Sequence, residues 1–200
     1  MNEKLSSQST FAAWSLNFKG MKKNVWVFGI ITGLIISSFM LYAARECYTN
    51  PDMETNDVVG YAGMIAVFSL IFVGIKNYRD KYNDGAITFG KAFKTGLYIT
   101  LIASSMYVLV WLIDYYVFIP DFLDKYIPHV LKDATEDGAT QQELQEKTAE
   151  MASFKEMYQN PLFVILITYS EVFPVGLIIS LVSALLLKRK PNDTTASVAT

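Results

Sequence analysis

Four long stretches of the sequence are almost free of charged side chains, and they constrain the fold more than any other feature. They lie at about residues 25–44, 58–75, 95–118 and 162–187. A helix needs roughly 17–25 mostly apolar residues to cross the ~30 Å hydrocarbon core of a bilayer. Backbone groups in that core must pair with one another, and a helix achieves this within one segment. We therefore predict an all-α, polytopic membrane protein with four transmembrane helices in a bundle.

The composition agrees with this fold and excludes several classes of protein. Only 18% of the residues are charged, against about 25% in soluble domains. The net charge of −2 gives no reason to expect nucleic acid as a partner. Cys47 is the single cysteine, so the chain has no intrachain disulfide and no cysteine cluster for a metal. The first apolar stretch is longer than the roughly 7–15 residues of a signal-peptide core, so we expect an uncleaved helix.

The segments outside the spans predict two further helices. In residues 1–24, apolar side chains recur on one helical face, which indicates a short N-terminal helix in the membrane interface; an irregular tail is the alternative. That face consists of Phe11, Trp14, Phe18 and Met21. The outer segment, residues 119–161, contains a capping-box pattern from Thr140 to Glu143. We predict an amphipathic, extracytoplasmic helix over residues 141–159, folded back onto the bundle.

The distribution of basic residues predicts the orientation of the chain. Twelve of the 17 Lys and Arg lie in the N-terminal flank, in residues 76–94 and in the tail, residues 188–200. With four spans, all three regions fall on the same side, which the positive-inside rule assigns to the cytoplasm. The outer segment carries nine acidic residues against four Lys. We therefore expect both termini to be cytoplasmic.

Three of the predicted spans carry small residues at every fourth position. Such seams let helix backbones approach closely and gain van der Waals contact in lipid. The partner of each seam can be another helix of this chain or a second copy, and the pattern does not decide between them. The seams are Gly29, Gly33 and Ser37 in the first span, Gly96, Thr100 and Ser104 in the third, and Gly176, Ser180 and Ala184 in the fourth.

Glu171 is the strongest candidate for a functional residue. It lies about nine residues into the fourth span, roughly 14 Å along the helix, where a bare carboxylate costs at least a few kcal/mol. Pro174 removes the backbone hydrogen bond to the carbonyl of Ser170, which favours a bend beside the acid. A proton or ligand site is one interpretation, and a protonated structural Glu is the other. By depth, its candidate hydrogen-bond partners are Ser37, Ser38 and Tyr107.

A second intramembrane carboxylate, Asp114, lies near the outer end of the third span, at a depth that matches Arg45. An interfacial ion pair is one interpretation, and an outer entrance to a path towards Glu171 is the other. His129 precedes Asp133 by one helical turn, but a metal site normally needs three or more ligands, so we predict no metal. No cofactor motif is present in the sequence.

The chain resembles an uncharacterised bacterial membrane family, domain of unknown function number 4199, over about residues 20–190. Two segments carry the resemblance: residues 85–93, Gly-Ala-Ile-Thr-Phe-Gly-Lys-Ala-Phe, and residues 171–181, which begin Glu-Val-Phe-Pro-Val-Gly. The resemblance implies a four-helix protein of the bacterial cytoplasmic membrane. It implies no reaction, substrate or catalytic residue. For residues 85–97 an interfacial elbow is the simplest account, and a re-entrant loop is the alternative.

The polar residues within the spans are too few for catalysis, so we do not expect an enzyme. The leading hypothesis is a protein that acts by association, as a homo-oligomer or as an accessory subunit of a membrane complex. It rests on the small-residue seams and the acidic outer segment. The alternative is a small proton-coupled transporter or channel that uses Glu171. The lipid bilayer is the one partner that either hypothesis requires.

Overall fold

Residues 2–50 and 57–190, which the computed structural model describes, form seven α-helices and one π-helical turn. Four helical segments are long and apolar enough to cross a membrane: Lys19–Thr49, Val58–Tyr82, Phe89–Phe118 and Pro161–Leu187. The all-α fold with four spans is thereby confirmed. The helices are α1 (Asn2–Thr49), α2 (Asp57–Phe68), α3 (Leu70–Tyr82), α4 (Phe89–Ile113), α5 (Phe122–Glu136), α6 (Gln141–Met157) and α7 (Pro161–Leu187), and the π-helical turn Asp114–Phe118 continues α4.

Several helices extend further than the sequence predicted. The expected N-terminal helix and the first span form one continuous helix, and α1 passes Arg45 and Glu46 before it ends at Thr49. The third span begins earlier, at Phe89, because Thr88 caps it by accepting a hydrogen bond from the backbone of Lys91. Charged residues mark where hydrocarbon ends and water begins, but the helical hydrogen bonds continue past that level.

Three predicted features lie outside the described part of the chain. Side chains are described from residue 19 in α1 and from residue 58 in α2. Outside it fall the apolar side chains of Phe11, Trp14 and Phe18, the tail from residue 191, and residues 51 and 52 of the turn that the sequence Asn50-Pro51-Asp52 predicts.

Helix α4 lies between α1 and α7 and packs extensively against both. At the α1–α4 crossing, a Cβ on Gly29 would be 2.8 Å from Cβ of Ile102, and one on Gly33 would be 2.7 Å from the sulfur of Met106. No real Cβ comes this close, so each glycine makes room for a side chain of α4. The seam of the first span therefore packs against a helix of the same chain.

The seams of the third and fourth spans pack against each other. A Cβ on Gly96 would be 2.9 Å from Cβ of Ser180, and one on Gly176 would be 2.5 Å from Cγ2 of Thr100. The hydroxyls of Thr100 and Ser180 are hydrogen-bonded at 2.9 Å. The nine seam residues of the three spans are all buried within the described chain.

The turn before α4 and the residues after α7 meet at one end of the bundle, here called the basic end. Ile87 and Arg189 exchange two backbone hydrogen bonds, at 2.9 and 2.8 Å. The sequence Asn83-Asp84-Gly85 predicts a turn, and the turn is present, with φ of 52° at Asp84 and 72° at Gly85. The side chain of Asn24 in α1 donates to the carbonyl of Gly74 in α3, which places the N-terminal flank at this end as well. All three basic regions therefore lie near the basic end.

The second span packs tightly at the basic end and loosely at the opposite end, here called the acidic end. Helix α3 packs against α1, α4 and α7, whereas α2 packs against α1 and α7 and, among the described residues, shows no comparable packing with α4. Phe68, Ile71 and Ile75 are 0% exposed, but Val58 and Val59 near the start of α2 are exposed. The divergence of α2 from α4 leaves space inside the acidic end.

Helices α5 and α6 cover this end and pack against each other. The sequence predicted α6 but not α5. The capping box at the start of α6 is confirmed, with Thr140 and Glu143 bonded reciprocally. These hydrogen bonds from the backbone and side chain of Thr140 lower the pKa of Glu143. No residue of α6 is buried, and the helix contacts the core only near its end, through half-buried Phe154 and buried Tyr158.

Candidate functional site

A cavity of about 400 Å³ lies inside the acidic end, in the space where α2 diverges from α4. Its walls come from α1, α2, α4 and α7, and its roof comes from α5 and the end of α6. We call it the aromatic cavity because eight of its wall residues are aromatic: Phe39, Tyr61, Tyr107, Trp111, Phe122, Tyr126, Phe154 and Tyr158. The remaining wall is formed by Ile36, Met40, Ala43, Ala44, Cys47, Gly60, Met64, Leu123, Ile167, Thr168 and Glu171.

The roof is held together by ring contacts between elements that are distant in sequence. Trp111 of α4 meets Phe122 of α5 edge-on, with centroids 5.2 Å apart. Tyr158 meets Tyr115 edge-on at 5.0 Å, and its ring is tilted against that of Phe154 at 5.1 Å. Edge-to-face pairs at such distances are favourable because the positive ring edge meets the negative ring face. These contacts fix the outer segment over the cavity.

A buried hydrogen bond joins the roof to α4. The indole Nε1–H of Trp111 donates to the hydroxyl of Tyr158 at 2.8 Å. Burial, helped by the negative charge of the nearby Glu171 and opposed by hydrogen bonds from Trp111 and Thr168, raises the pKa of Tyr158 to about 12. Tyr158 therefore stays neutral through the physiological range and serves as a fixed polar group in the cavity wall.

Glu171 is the only charged residue among the described residues that line the cavity. Its side chain is exposed, as are those of Ile167 on the same helix and Tyr61 on α2. The exposed part of the wall thus belongs to α2 and α7, so the cavity opens between these two helices. The lining residues that the structure describes include no Lys, Arg or His. A ligand in the cavity meets one carboxylate, several aromatic faces and tyrosine hydroxyls.

One of the three residues predicted to pair with Glu171 lies beside it. Tyr107 lines the same cavity and interacts electrostatically with Glu171. Ser37 is buried on α1, and its hydroxyl has no hydrogen-bond partner within the described residues. Ser38 is exposed and donates to the carbonyl of Leu34 at 2.8 Å. Neither serine lines the cavity.

Pro174, the other residue predicted for this site, is exposed and lies inside α7, which continues as one helix to Leu187.

Asp114 and Arg45 come together away from the cavity. A guanidinium nitrogen of Arg45 is 4.0 Å from Oδ1 of Asp114, whose side chain is only 6% exposed against 52% for Arg45. Oδ2 of Asp114 has no hydrogen-bond partner among the described residues. Asp114 is not among the described residues that line the aromatic cavity.

His129 is buried on α5, and its Nε2 lies 3.2 Å from the carbonyl oxygen of Cys47. This contact ties α5 to the end of α1 beside the cavity. The described residues contain no group of three or more His, Cys, Asp or Glu arranged to hold a metal ion.

The sequence did not predict the aromatic cavity, because its aromatic residues come from α1, α2, α4, α5 and the end of α6 and have no common spacing. A pair of asparagines was missed as well. Asn77 donates to the side-chain oxygen of Asn24 at 2.5 Å, joining α3 to α1 at the basic end. Asn24 directly precedes the first apolar span, Asn77 comes just after the second, and each follows a lysine. A polar amide at the edge of a span is the signal that would have identified them.

The four spans and the roofed cavity define a multi-pass membrane protein with one internal site near one membrane surface. The chain matches the family described as "Protein of unknown function (DUF4199)" over residues 27–189, and it belongs to that family. The match includes both segments on which the resemblance was based. Comparisons with curated proteins and with solved structures give no match.

Proposed function

We propose that this protein acts without catalysis, by binding a proton, or an organic cation in place of the proton, at Glu171. Such an exchange is the basis of a small proton-coupled transporter. The proposal rests mainly on one observation: among the described residues in the wall of the aromatic cavity, Glu171 alone is charged, and it lies on the open side of the cavity.

The energetics of a carboxylate in a membrane favour this exchange. An ionised Glu in a span costs at least a few kcal/mol unless it is paired, hydrated or protonated. A proton and a cationic ligand both neutralise the same charge, so each one displaces the other. The aromatic walls favour a cation as well, because ring faces attract positive charge by about 0.5–2 kcal/mol each.

The packing of the second span supports access from one side at a time. Towards the basic end, the second span is fully buried at Phe68 and Ile71. The α2 half of that span is held less tightly than the α3 half. Alternating access would require movement of this span relative to α1 and α7.

We also propose that the basic end faces the cytoplasm of a bacterium and that the aromatic cavity faces outward. The positive-inside rule supports this orientation, because the three basic regions approach one end. The test uses a Cys47→Ser background with either Lys190→Cys or Glu146→Cys, treated in intact cells with a membrane-impermeant maleimide. Labelling of position 146 alone is expected, and labelling of position 190 alone would contradict the orientation.

Transport is tested in liposomes that contain the protein and a pH-sensitive dye. A pH gradient is imposed, and quaternary ammonium ions of increasing apolar size, which have no neutral form that could cross the bilayer unaided, are added one at a time. The wild type is expected to dissipate the gradient with at least one of these cations by exchanging it for protons, and Glu171→Gln is expected to leave the gradient as it is in empty liposomes. Asp114→Asn is the matched control, because it removes the other intramembrane carboxylate and should retain the activity.

Association with another protein is the second candidate, favoured by the exposure of α6. No residue of this helix is buried, and the segment that contains it is strongly acidic. A partner with a basic outer domain fits this surface. The small-residue seams no longer support a homo-oligomer, because they are occupied within the chain.

Extraction into native lipid particles without detergent, followed by mass measurement, separates the two candidates. A stoichiometric second protein that is lost when Glu143, Glu146 and Glu150 are changed to Gln supports association. A monomer or homo-oligomer with nothing bound favours the Glu171 proposal.

A further inference from the structure

A second concave site lies at the basic end, in a groove of about 330 Å³ between α1 and α4. We call it the lysine groove. It is separate from the aromatic cavity, and the two have no wall residue in common. The groove is lined by Met21, Lys22, Val25, Trp26, Lys94, Tyr98, Leu101 and Ile102.

The polarity of the groove changes in order along the two helices. Lys22 and Lys94 lie at its mouth, and both are exposed. One helical turn deeper, Trp26 on α1 is 58% exposed and Tyr98 on α4 is 40% exposed. The next turn is apolar. It ends where α1 and α4 meet at Gly29, next to the side chain of Ile102.

This order of charged, aromatic and aliphatic residues matches the order of groups in a phospholipid. A phosphate lies at the depth of lysines next to a membrane span, and Trp and Tyr occupy the level of the headgroup and ester region. The acyl chains occupy the aliphatic level. None of the eight wall residues is acidic, so the groove favours a lipid with a net negative charge.

We infer that the lysine groove binds one anionic phospholipid, with the phosphate between Lys22 and Lys94 and an acyl chain along Leu101 and Ile102. The two lysines come from different helices, so the bound lipid bridges α1 and α4 at the basic end. The site is independent of Glu171, and neither proposal depends on the other.

The test is native mass spectrometry of the full chain, with equal amounts of phosphatidylglycerol and phosphatidylcholine carrying the same acyl chains. The wild type is expected to retain one phosphatidylglycerol in preference to phosphatidylcholine. The K22Q/K94Q variant is expected to bind it about thirtyfold more weakly, since a lysine near the lipid surface contributes about a factor of five.

The matched control is K76Q/K81Q, which removes the same charge from exposed positions at the same end but outside the groove. This control is expected to bind the lipid as the wild type does. Equal weakening in the two variants would overturn the inference, because it would indicate general attraction to basic charge. A wild type with no preference between the two lipids would also overturn it, as would displacement of the lipid by inorganic phosphate alone.

Discussion

The hydroxyls of Thr100 and Ser180 are hydrogen-bonded at 2.9 Å where α4 and α7 cross. Gly96 and Gly176 lie at the same crossing. A side chain of the opposite helix occupies the space that a Cβ on either glycine would need. Close backbone approach and a hydrogen bond between spans are the two interactions that stabilise helix pairs in lipid. The crossing therefore fixes α7, and with it Glu171, relative to α4.

Adding one methyl group at this crossing should destabilise the protein. In Gly176→Ala the new Cβ would be 2.5 Å from Cγ2 of Thr100, so the helices must separate or Thr100 must move. We expect a loss of about 1–3 kcal/mol in the free energy of unfolding, the usual cost of overpacking. Unfolding in mixed micelles measures it. Gly60→Ala is the control, because nothing lies within 4 Å of its added Cβ; an equal loss in both variants would argue against this packing.

The hydrogen bond from Trp111 to Tyr158 should stabilise the roof of the aromatic cavity. Tyr158→Phe keeps the ring but leaves the buried indole N–H without its acceptor, which costs about 1–3 kcal/mol. Tyr116→Phe is the matched control, since its hydroxyl is bonded to the carbonyl of Tyr158 only at 3.4 Å. The same unfolding measurement should show the larger loss for Tyr158→Phe, and the reverse order would contradict this account of the roof.

The raised pKa of Tyr158 predicts a dependence of stability on alkaline pH. Folding raises this pKa from 10.0 to about 12, so the unfolded chain loses the phenolic proton first. The contribution of this pKa shift to the free energy of unfolding is fully present below pH 10 and is lost as pH rises towards 12. The stability advantage of the wild type over Tyr158→Phe should narrow in that window by up to about 1.4 kcal/mol per pH unit. An unchanged difference from pH 9 to 12 would mean that Tyr158 is not buried.

The two members of the Arg45–Asp114 pair should respond unequally to substitution. Arg45→Gln leaves the buried carboxylate of Asp114 without its cation. We expect a loss of about 1–2 kcal/mol in the free energy of unfolding, which is less than for a fully buried ion pair because Arg45 is half exposed. Asp114→Asn removes the buried charge and should cost less. The double variant should recover most of the loss in a double-mutant cycle; additive losses would mean that the two residues are not coupled.

The spans could be predicted because their signal is local: a run of apolar residues determines each helix, whatever its neighbours are. The depth of Glu171 followed from the same count. The aromatic cavity could not be predicted in this way, because Trp111, Phe122 and Tyr158 come together only through tertiary packing. The seams were visible as a pattern, but the same pattern suits a contact within the chain or between copies. These two kinds of contact can be distinguished only from the residues that lie next to each glycine in the structure.

The most direct test of the central claim is labelling of Glu171 with a hydrophobic carbodiimide, which reacts with a protonated carboxyl group in an apolar site. Mass spectrometry of the labelled chain in lipid identifies the residue. We predict an adduct on Glu171 that decreases as pH rises and decreases again when an organic ammonium ion is added, with little adduct on buried Asp114. Labelling of Asp114 instead, or labelling of Glu171 that neither pH nor the ammonium ion changes, would contradict the proposal that Glu171 exchanges a proton for a cation.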